Sequence, residues 1–223
     1  MKGVFVAGTD TGVGKTFAST ALLHALRRRF PRVAGMKPVA AGAIRVDGRW
    51  VSEDALALRA ASSIPMPPAL DNPVLLPEPM SPHLAAERAG VRICVASLAR
   101  CYQQLAARAD FVVVEGAGGL LVPLTETETG ADLAVALALP VVLVVGLRLG
   151  CLNHALLTME AIRARGLTLA GWICNRIDPA MPAEQGNVDY LRARLDAPML
   201  ADFRFCAEPD PRSQSVFLPA DWG

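Results

Sequence analysis

The chain has 223 residues, of which 52% are hydrophobic and 19% are charged, and its formal net charge is +1. A chain of this length can bury most of its apolar surface without disulfides or a metal, and we expect a single domain over residues 1–223. A net charge close to zero gives no support to binding of nucleic acid or of an anionic membrane.

The cysteines and the apolar runs predict a cytoplasmic protein. The five cysteines are scattered along the sequence without a Cys-x-x-Cys pair, which predicts free thiols in a reducing compartment. The apolar run from Val4 to Ala7 is too short for a signal peptide. The apolar stretch from Leu133 to Leu147 is divided by Pro140 and is shorter than the ~20 residues that a membrane span needs. We therefore expect no membrane association.

The segment from Val4 to Thr16 predicts a phosphate-binding loop. An apolar strand leads into GTDTGVGKT at residues 8–16, and a helical pattern follows at once. Backbone N–H groups of such a loop, with the helix start near Lys15, converge on a phosphate. We expect Lys15 to hold the β- and γ-phosphates and the Thr16 hydroxyl to bind Mg²⁺. Gly8 lies six positions before Gly14 rather than five, which predicts a loop one residue longer than usual.

The rest of the chain alternates apolar strands with amphipathic helices. This alternation predicts an α/β fold in which a doubly wound, mainly parallel β-sheet is flanked by helices, as in P-loop NTPases. The predicted strands are Gly3 to Ala7, Arg32 to Met36, Phe111 to Glu115, Val141 to Val145 and Leu169 to Asn175. We expect a helix around Asp132 to Leu139. The proline-rich stretch from Ile64 to Pro82 is expected to be irregular, with Ser81 and Pro82 beginning the next helix.

Residues at the ends of the strands are candidates for chemistry, because ligands of a parallel sheet gather at the C-terminal ends of its strands. Glu115 precedes a run of small residues, Gly116 to Gly119, and suits the second Mg²⁺ ligand of a phosphate-loop enzyme. Lys37 ends the second strand, where it is either a second cation for the transferring phosphoryl group or an isolated surface lysine. Ser52 caps a helix with Asp54 in its first turn. Asp54 is therefore either a metal ligand or a residue that stabilises the helix dipole.

Several motifs together resemble the dethiobiotin synthetase family. They are GTDTGVGKT at residues 8–16, KPV at 37–39, DALAL at 54–58, EGAGG at 115–119, LGCLNH at 149–154 and AGWICN at 170–175. The resemblance covers most of the chain. It implies a reaction in which ATP, CO₂ and 7,8-diaminononanoate give dethiobiotin, a cyclic urea, with ADP and phosphate, and it implies a requirement for Mg²⁺.

The resemblance also implies roles for individual residues. Thr16, Asp54 and Glu115 would hold the metal, and Lys15 and Lys37 would be catalytic. The implied ATP contacts are Gly12, Val13, Gly14, Lys15, Thr16, Phe17, Asp54, Glu115, Gly116, Ala117, Gly118, Asn175, Arg176, Arg204, Phe205 and Cys206. The implied substrate contacts are Thr11, Lys37, Ala41, Gly118, Gly150, Cys151, Leu152, Asn153 and Tyr190. The last five of these would act across the interface of a homodimer, so that each substrate site is composite.

The sequence departs from the family pattern at two places. Relatives often carry a hydroxyl where this chain has Ala41, so the backbone or water would replace that hydrogen bond. Relatives often read Leu-Gly-x-Ile-Pro where residues 200–204 of this chain read Leu-Ala-Asp-Phe-Arg. This second segment belongs to the implied nucleobase pocket.

Two other functions are compatible with the predicted fold. A partitioning-type ATPase switch carries a second lysine five residues before the Gly-Lys lysine, where this chain has Asp10, and this difference counts against the switch. An amide-forming ligase related to cobyrinic acid diamide synthase has a similar ATP-binding domain. Such ligases usually add a glutaminase domain, for which we expect no room in 223 residues.

Overall fold

A computed structural model describes residues 2–222 as an alternation of strands and helices. In chain order the strands are β1 (Gly3–Gly8), β2 (Val33–Met36), β3 (Val39–Ala41), β4 (Ile44–Val46), β5 (Arg49–Val51), β6 (Val74–Leu76), β7 (Phe111–Gly119), β8 (Val141–Leu147), β9 (Leu169–Arg176) and β10 (Met199–Phe203). The helices are α1 (Lys15–Leu26), α2 (Glu53–Ala61), α3 (Pro68–Asp71), α4 (Pro82–Ala89), α5 (Val95–Ala106), α6 (Gly130–Ala136), α7 (Cys151–Ala164) and α8 (Glu184–Arg194).

Six strands form a central parallel sheet in the order β10-β9-β8-β1-β7-β2. Along β1, Val4 and Val6 contribute to one layer of the core, while Phe5 and Ala7 contribute to the other. Helices α1 and α2 pack on the first side, and α4, α5 and α6 pack on the second. Burial of both faces explains why β8 is apolar throughout. The predicted doubly wound parallel sheet is confirmed.

Several parts of the fold differ from the expectation: the sequence pattern does not predict β3, β4 or β5, and the strand expected to end at Glu115 continues to Gly119 as β7. The stretch from Ile64 to Pro82 is not irregular throughout, because it contains α3 and β6. Pro68 is tolerated in α3 because the first turn needs no backbone N–H there, and β6 is stabilised by parallel pairing with β3. The sequence pattern also does not predict β10, which pairs with β9 at the edge of the sheet.

The helix expected around Asp132 to Leu139 is α6, which begins and ends earlier. Thr129 and Asp132 form a reciprocal capping box at its start. At its other end, Ala138 has a φ of 51° and turns out of the helix. The predicted helix is therefore present, but it begins two residues earlier and ends three residues earlier than expected.

The predicted starts of three helices are confirmed by the described residues. Helix α1 begins at Lys15, α2 is capped by Ser52, and α4 begins at Pro82. All five cysteines are free thiols. Residues 2–222 contain no helix that is both long and apolar enough to cross a membrane.

Candidate active site

The phosphate loop lies between the end of β1 and the start of α1. Gly12 and Gly14 have φ values of 73° and 83°, a left-handed conformation that favours glycine, and Gly14 is the N-cap residue of α1. A Cβ on Gly8 would lie only 3.0 Å from Nζ of Lys15. That ammonium group donates a hydrogen bond to the carbonyl of Asp10 at 3.0 Å. The loop therefore curls around the end of its own lysine.

Two carboxylates meet the Thr16 hydroxyl beside this loop. Oγ1 of Thr16 lies 2.8 Å from Oδ1 of Asp54 and 2.9 Å from Oε1 of Glu115. Asp54 is positioned by the first turn of α2, where Oγ of Ser52 accepts a hydrogen bond from the N–H of Ala55 at 3.2 Å. Glu115 comes from β7, and its side chain is fully buried. Residues from three separate elements thus converge on one point.

Lys37, the residue after β2, places its ammonium group between the same two carboxylates. Nζ lies 2.7 Å from Oδ2 of Asp54 and 2.6 Å from Oε1 of Glu115, and it donates to the carbonyl of Gly116 at 3.2 Å. Burial opposes charge on Lys37, but the negative charges of Glu115 and Asp54 outweigh burial and raise its pKa. Burial likewise opposes charge on Asp54, but contact with Lys37 holds the pKa of Asp54 below its usual value. These contacts therefore favour the protonated form of Lys37.

For Lys15, burial outweighs the attraction of the nearby carboxylates. Burial, reinforced by the positive charge of Lys37, lowers the pKa of Lys15 to about 8. The two ammonium groups repel one another, and an anion bound between them would relieve that repulsion. A bound anion would therefore stabilise the charged form of Lys15.

The oxygen atoms of this cluster fit a hard divalent cation. Asp54 and Glu115 supply carboxylate oxygens and Thr16 supplies a hydroxyl, which are ligand types that Mg²⁺ prefers. Oε2 of Glu115 is buried without a hydrogen-bond partner among residues 2–222, which is costly unless a cation or water satisfies it. The part of the chain that the structure describes has no group of three or more His, Cys, Asp or Glu side chains suited to a metal. A magnesium ion here would complete its shell with phosphate oxygens and water.

A cavity of about 700 Å³ opens beside the loop and has the size of a small-molecule site. The residues expected from the sequence that line it are Thr11, Gly12, Gly14, Lys15, Thr16, Lys37, Ala41, Asp54, Glu115, Ala117 and Gly118. Residues that the sequence did not single out for this site complete the lining: Val39, Pro79, Met80, Ser81, Pro82 and Val122. In the sequence, Ser81 and Pro82 were recognised as a helix start and not as site residues. In the structure, the Ser81 hydroxyl does not cap α4.

Residues expected around a nucleobase converge at the ends of β9 and β10. Nδ2 of Asn175 donates to the carbonyl of Val13 at 3.0 Å. Asn175 is in register with Phe203, whose ring meets that of Phe17 edge-on at a centroid distance of 5.2 Å. The exposed residues that follow are Arg204, Phe205 and Cys206. The start of α1 and the ends of these two strands therefore enclose one region.

Arg176 is placed beside this region, but its guanidinium group is already engaged. It donates to both oxygens of Asp202 at 2.8 Å, to Glu184 at 2.8 Å and to Gln185 at 3.2 Å. These contacts tie β9 to β10 and α8. The guanidinium group of Arg176 therefore has a structural role.

The residues implied for the far end of the substrate are separate from the cavity. Its lining, within residues 2–222, does not include Gly150, Cys151, Leu152, Asn153 or Tyr190. Gly150 has a φ of 94° and is the N-cap of α7. Tyr190 lies on α8, partly exposed, with the guanidinium group of Arg194 4.9 Å from its ring centroid. Leu149, next to the helix start, is 92% exposed.

Comparison with known proteins gives one family match and one relative with high sequence identity. Residues 2–207 match a family model described as an AAA domain. The ATP-dependent dethiobiotin synthetase of Aromatoleum aromaticum is 56% identical over 216 residues, which are 96% of this chain and 95% of the relative.

Solved structures with the same fold are more distant in sequence. The cell division protein FtsY of Thermotoga maritima matches with a TM-score of 0.55 and 15% identity over 97% of this chain, which spans 65% of the FtsY chain. A chain of the MinC:MinD complex of Aquifex aeolicus matches with a TM-score of 0.54 and 17% identity, over 90% of this chain and 80% of that chain. At this identity the likeness shows the fold alone, which is that of P-loop NTPases.

Proposed function

This chain belongs to the dethiobiotin synthetase family, ATP-dependent ligases of biotin biosynthesis, and we propose that it joins CO₂ to 7,8-diaminononanoate to form the ureido ring of dethiobiotin. ATP would be consumed and ADP and phosphate released. The observation that carries the proposal is the convergence of Lys15, Lys37 and the Thr16–Asp54–Glu115 cluster on one cavity. This arrangement suits transfer of a phosphoryl group to an anion.

The proposed reaction needs no protein nucleophile. One amine of the substrate adds to CO₂ and, after loss of a proton, becomes a carbamate. An oxygen of the carbamate attacks the γ-phosphorus as the bond to ADP breaks, which gives a carbamic-phosphoric anhydride. The second amine then attacks the carbonyl carbon, loses a proton and displaces phosphate. Because the nucleophile arrives with a negative charge, the main task of the protein is to bring two anions together.

Two lysines perform that task in this proposal. Lys15, at the end of the loop, would bind the β- and γ-phosphates. Lys37 would contact the carbamate and the transferring phosphoryl group, with its charge maintained by Glu115 and Asp54. The cavity-lining residues Thr11, Gly118 and Ala41 would contact the substrate near its amines.

Thr16, Asp54 and Glu115 would hold the magnesium ion. When bound, this ion would neutralise charge on the β- and γ-phosphates. The unpartnered Oε2 of Glu115 supports the assignment. Asn175, Phe17 and residues 204–206 would surround the nucleobase.

The far carboxylate of the substrate would bind at the start of α7 in a second copy of the chain. Free N–H groups at a helix N-terminus favour an anion, but Gly150 to Asn153 are not in the lining of the cavity that holds Lys37. In a two-fold dimer, each cavity would receive the helix start of the partner, which gives two equivalent composite sites. The exposed side chain of Leu149 is consistent with a surface that a partner covers.

A cytoplasmic location is also part of the proposal. It is supported by the use of ATP and by the five free thiols of the chain, which are typical of a reducing compartment.

The function is tested by measuring phosphate release with ATP, Mg²⁺, diaminononanoate and bicarbonate, with and without glutamine. We expect release that requires diaminononanoate, is indifferent to glutamine and is matched by formation of dethiobiotin in mass spectra. Glutamine-dependent release would instead support an amide-forming ligase. Release without diaminononanoate or glutamine would support an ATPase switch.

A further inference from the structure

Asp10 makes three separate contacts in the middle of the phosphate loop. Its main-chain carbonyl accepts the hydrogen bond from Nζ of Lys15 at 3.0 Å. Its Oδ1 accepts from the N–H of Thr11 at 2.7 Å. Its Oδ2 lies 2.5 Å from Nη2 of Arg148. The conformation of Asp10 is therefore linked both to the catalytic lysine and to a residue outside the loop.

Arg148 is itself part of the start of α7. It follows β8 directly, and its carbonyl accepts a hydrogen bond from the N–H of Cys151, the first residue of the helix, at 3.0 Å. A continuous path of contacts thus runs from Lys15 through Asp10 and Arg148 to Cys151. A main-chain hydrogen bond of 3.0 Å from the N–H of Thr9 to the carbonyl of Val144 also joins the loop to β8.

The ion pair contributes little to stability by itself. The Arg148 and Asp10 side chains are 41% and 44% exposed, and ion pairs between groups this exposed add little to stability. Its importance lies in what it joins: a loop that binds phosphate and a helix start that presents free N–H groups. Arg163, on the same helix, forms an exposed ion pair with Asp196 but has no link to the loop, which makes it a matched control.

We propose that Arg148 is a positioning residue, which acts through Asp10 to couple nucleotide binding at the loop to substrate binding at the start of α7. The inference rests on the proposed function, in which that helix start binds the substrate carboxylate in the partner's site. A nucleotide that fixes Asp10 also fixes Arg148 and the helix start. Nucleotide in one subunit then favours substrate in the other, and the effect is reciprocal.

The coupling is measured by calorimetric titration of diaminononanoate in CO₂-depleted buffer, with and without a non-hydrolysable ATP analogue and Mg²⁺. We expect the nucleotide to tighten substrate binding roughly 5- to 10-fold in the parent protein. Arg148→Met and Asp10→Asn should each reduce this factor to below about twofold, because both remove the ion pair. Arg148→Lys should retain the factor, since an ammonium group can replace the guanidinium, and Arg163→Met should match the parent.

Two outcomes would overturn the inference: a parent protein without coupling, or full coupling in folded dimers of both Arg148→Met and Asp10→Asn. The variant Gly150→Glu tests the underlying carboxylate site separately. If Gly150→Glu binds the substrate as tightly as the parent, the helix start is not the carboxylate site, and this part of the proposed function fails. If it loses substrate binding while Arg148→Met retains full coupling, only the role of Arg148 is rejected.

Discussion

Nζ of Lys37 lies 2.6 Å from Oε1 of Glu115, and both side chains are buried. A buried ammonium group needs such a partner to remain charged. Glu115 and Asp54 raise the pKa of Lys37, which favours its protonated form and disfavours a role as general base. We therefore predict that Lys37 contributes to the reaction electrostatically.

Replacement of Lys37 should abolish turnover while the fold is retained. Lys37→Gln removes the cation but keeps a hydrogen-bond donor for the buried Glu115. It therefore disturbs the site less than Lys37→Ala, and we expect the same catalytic loss in both variants. We expect kcat to fall by at least 100-fold, which corresponds to a loss of ~3 kcal/mol of transition-state stabilisation. The exposed Lys2 provides the control Lys2→Gln. Near-normal turnover in folded Lys37→Gln would reject the assignment.

Loss of either carboxylate should raise the magnesium requirement. Asp54→Asn and Glu115→Gln preserve side-chain size but weaken binding of a divalent cation. We expect the Mg²⁺ concentration for half-maximal activity to rise by about tenfold or more in each variant. Glu53→Gln is the control, because Glu53 is an exposed residue in the same helical turn as Asp54. Titration curves that coincide with the parent for both variants would exclude the proposed ligands.

Asp202 should stabilise the protein in a pH-dependent way. The hydrogen bonds from Arg176 lower the pKa of Asp202 in the folded state. Its stabilising effect is therefore complete above the unfolded pKa of about 3.9 and is lost as the pH falls through the folded value. We expect Asp202→Asn to lower the free energy of unfolding by about 2 kcal/mol at pH 7, with a smaller difference below pH ~4.

The control for this measurement is Asp189→Asn. Asp189 pairs with Arg192 at 3.4 Å and its side chain is 58% exposed, so its loss should cost less than about 0.5 kcal/mol. Denaturant titrations between pH 3 and pH 7 provide the comparison. A difference between the parent and Asp202→Asn that stays constant over this range would contradict the predicted linkage.

The composite site predicts complementation between two inactive subunits. Lys37→Ala removes the cation of a site, while Gly150→Glu places a negative charge at the helix start that would serve the partner's site. In a mixed dimer, one site carries both defects and the other carries neither. Half of the mixed dimers' sites should therefore be active. A fully active monomer, or no recovery after subunit exchange is confirmed by native mass spectrometry, would reject the shared site.

Local patterns were sufficient to predict five of the six strands of the central sheet and the phosphate loop. The strand before Gly8 and the helix after Gly14 specified the loop, and the apolar run before Glu115 predicted the first part of β7, which continues to Gly119. Parallel strands then bring their C-terminal ends together. The structure accordingly places Glu115, Lys37 and Thr16 in contact, although they are far apart in the sequence.

What the sequence did not predict depends on tertiary contacts. The edge strand β10 is stabilised by its pairing with β9, and the side chain of Arg176 is directed by Asp202 and Glu184 rather than by a local pattern. Arg148 was missed as a site-related residue because its significance lies in an ion pair to Asp10, 138 positions away. Single-sequence patterns carry no record of such pairs.

The most direct test of the proposed chemistry follows oxygen from bicarbonate. Freshly dissolved ¹³C,¹⁸O-bicarbonate is supplied with ATP, Mg²⁺ and diaminononanoate, and the products are analysed before the label exchanges with water. If a carbamate oxygen attacks the γ-phosphorus, ¹³C appears in the ureido carbon of dethiobiotin and ¹⁸O appears in the released phosphate, with one ADP formed per ring. Labelled dethiobiotin accompanied by phosphate without ¹⁸O, under conditions where the bicarbonate retains its label, would contradict the account.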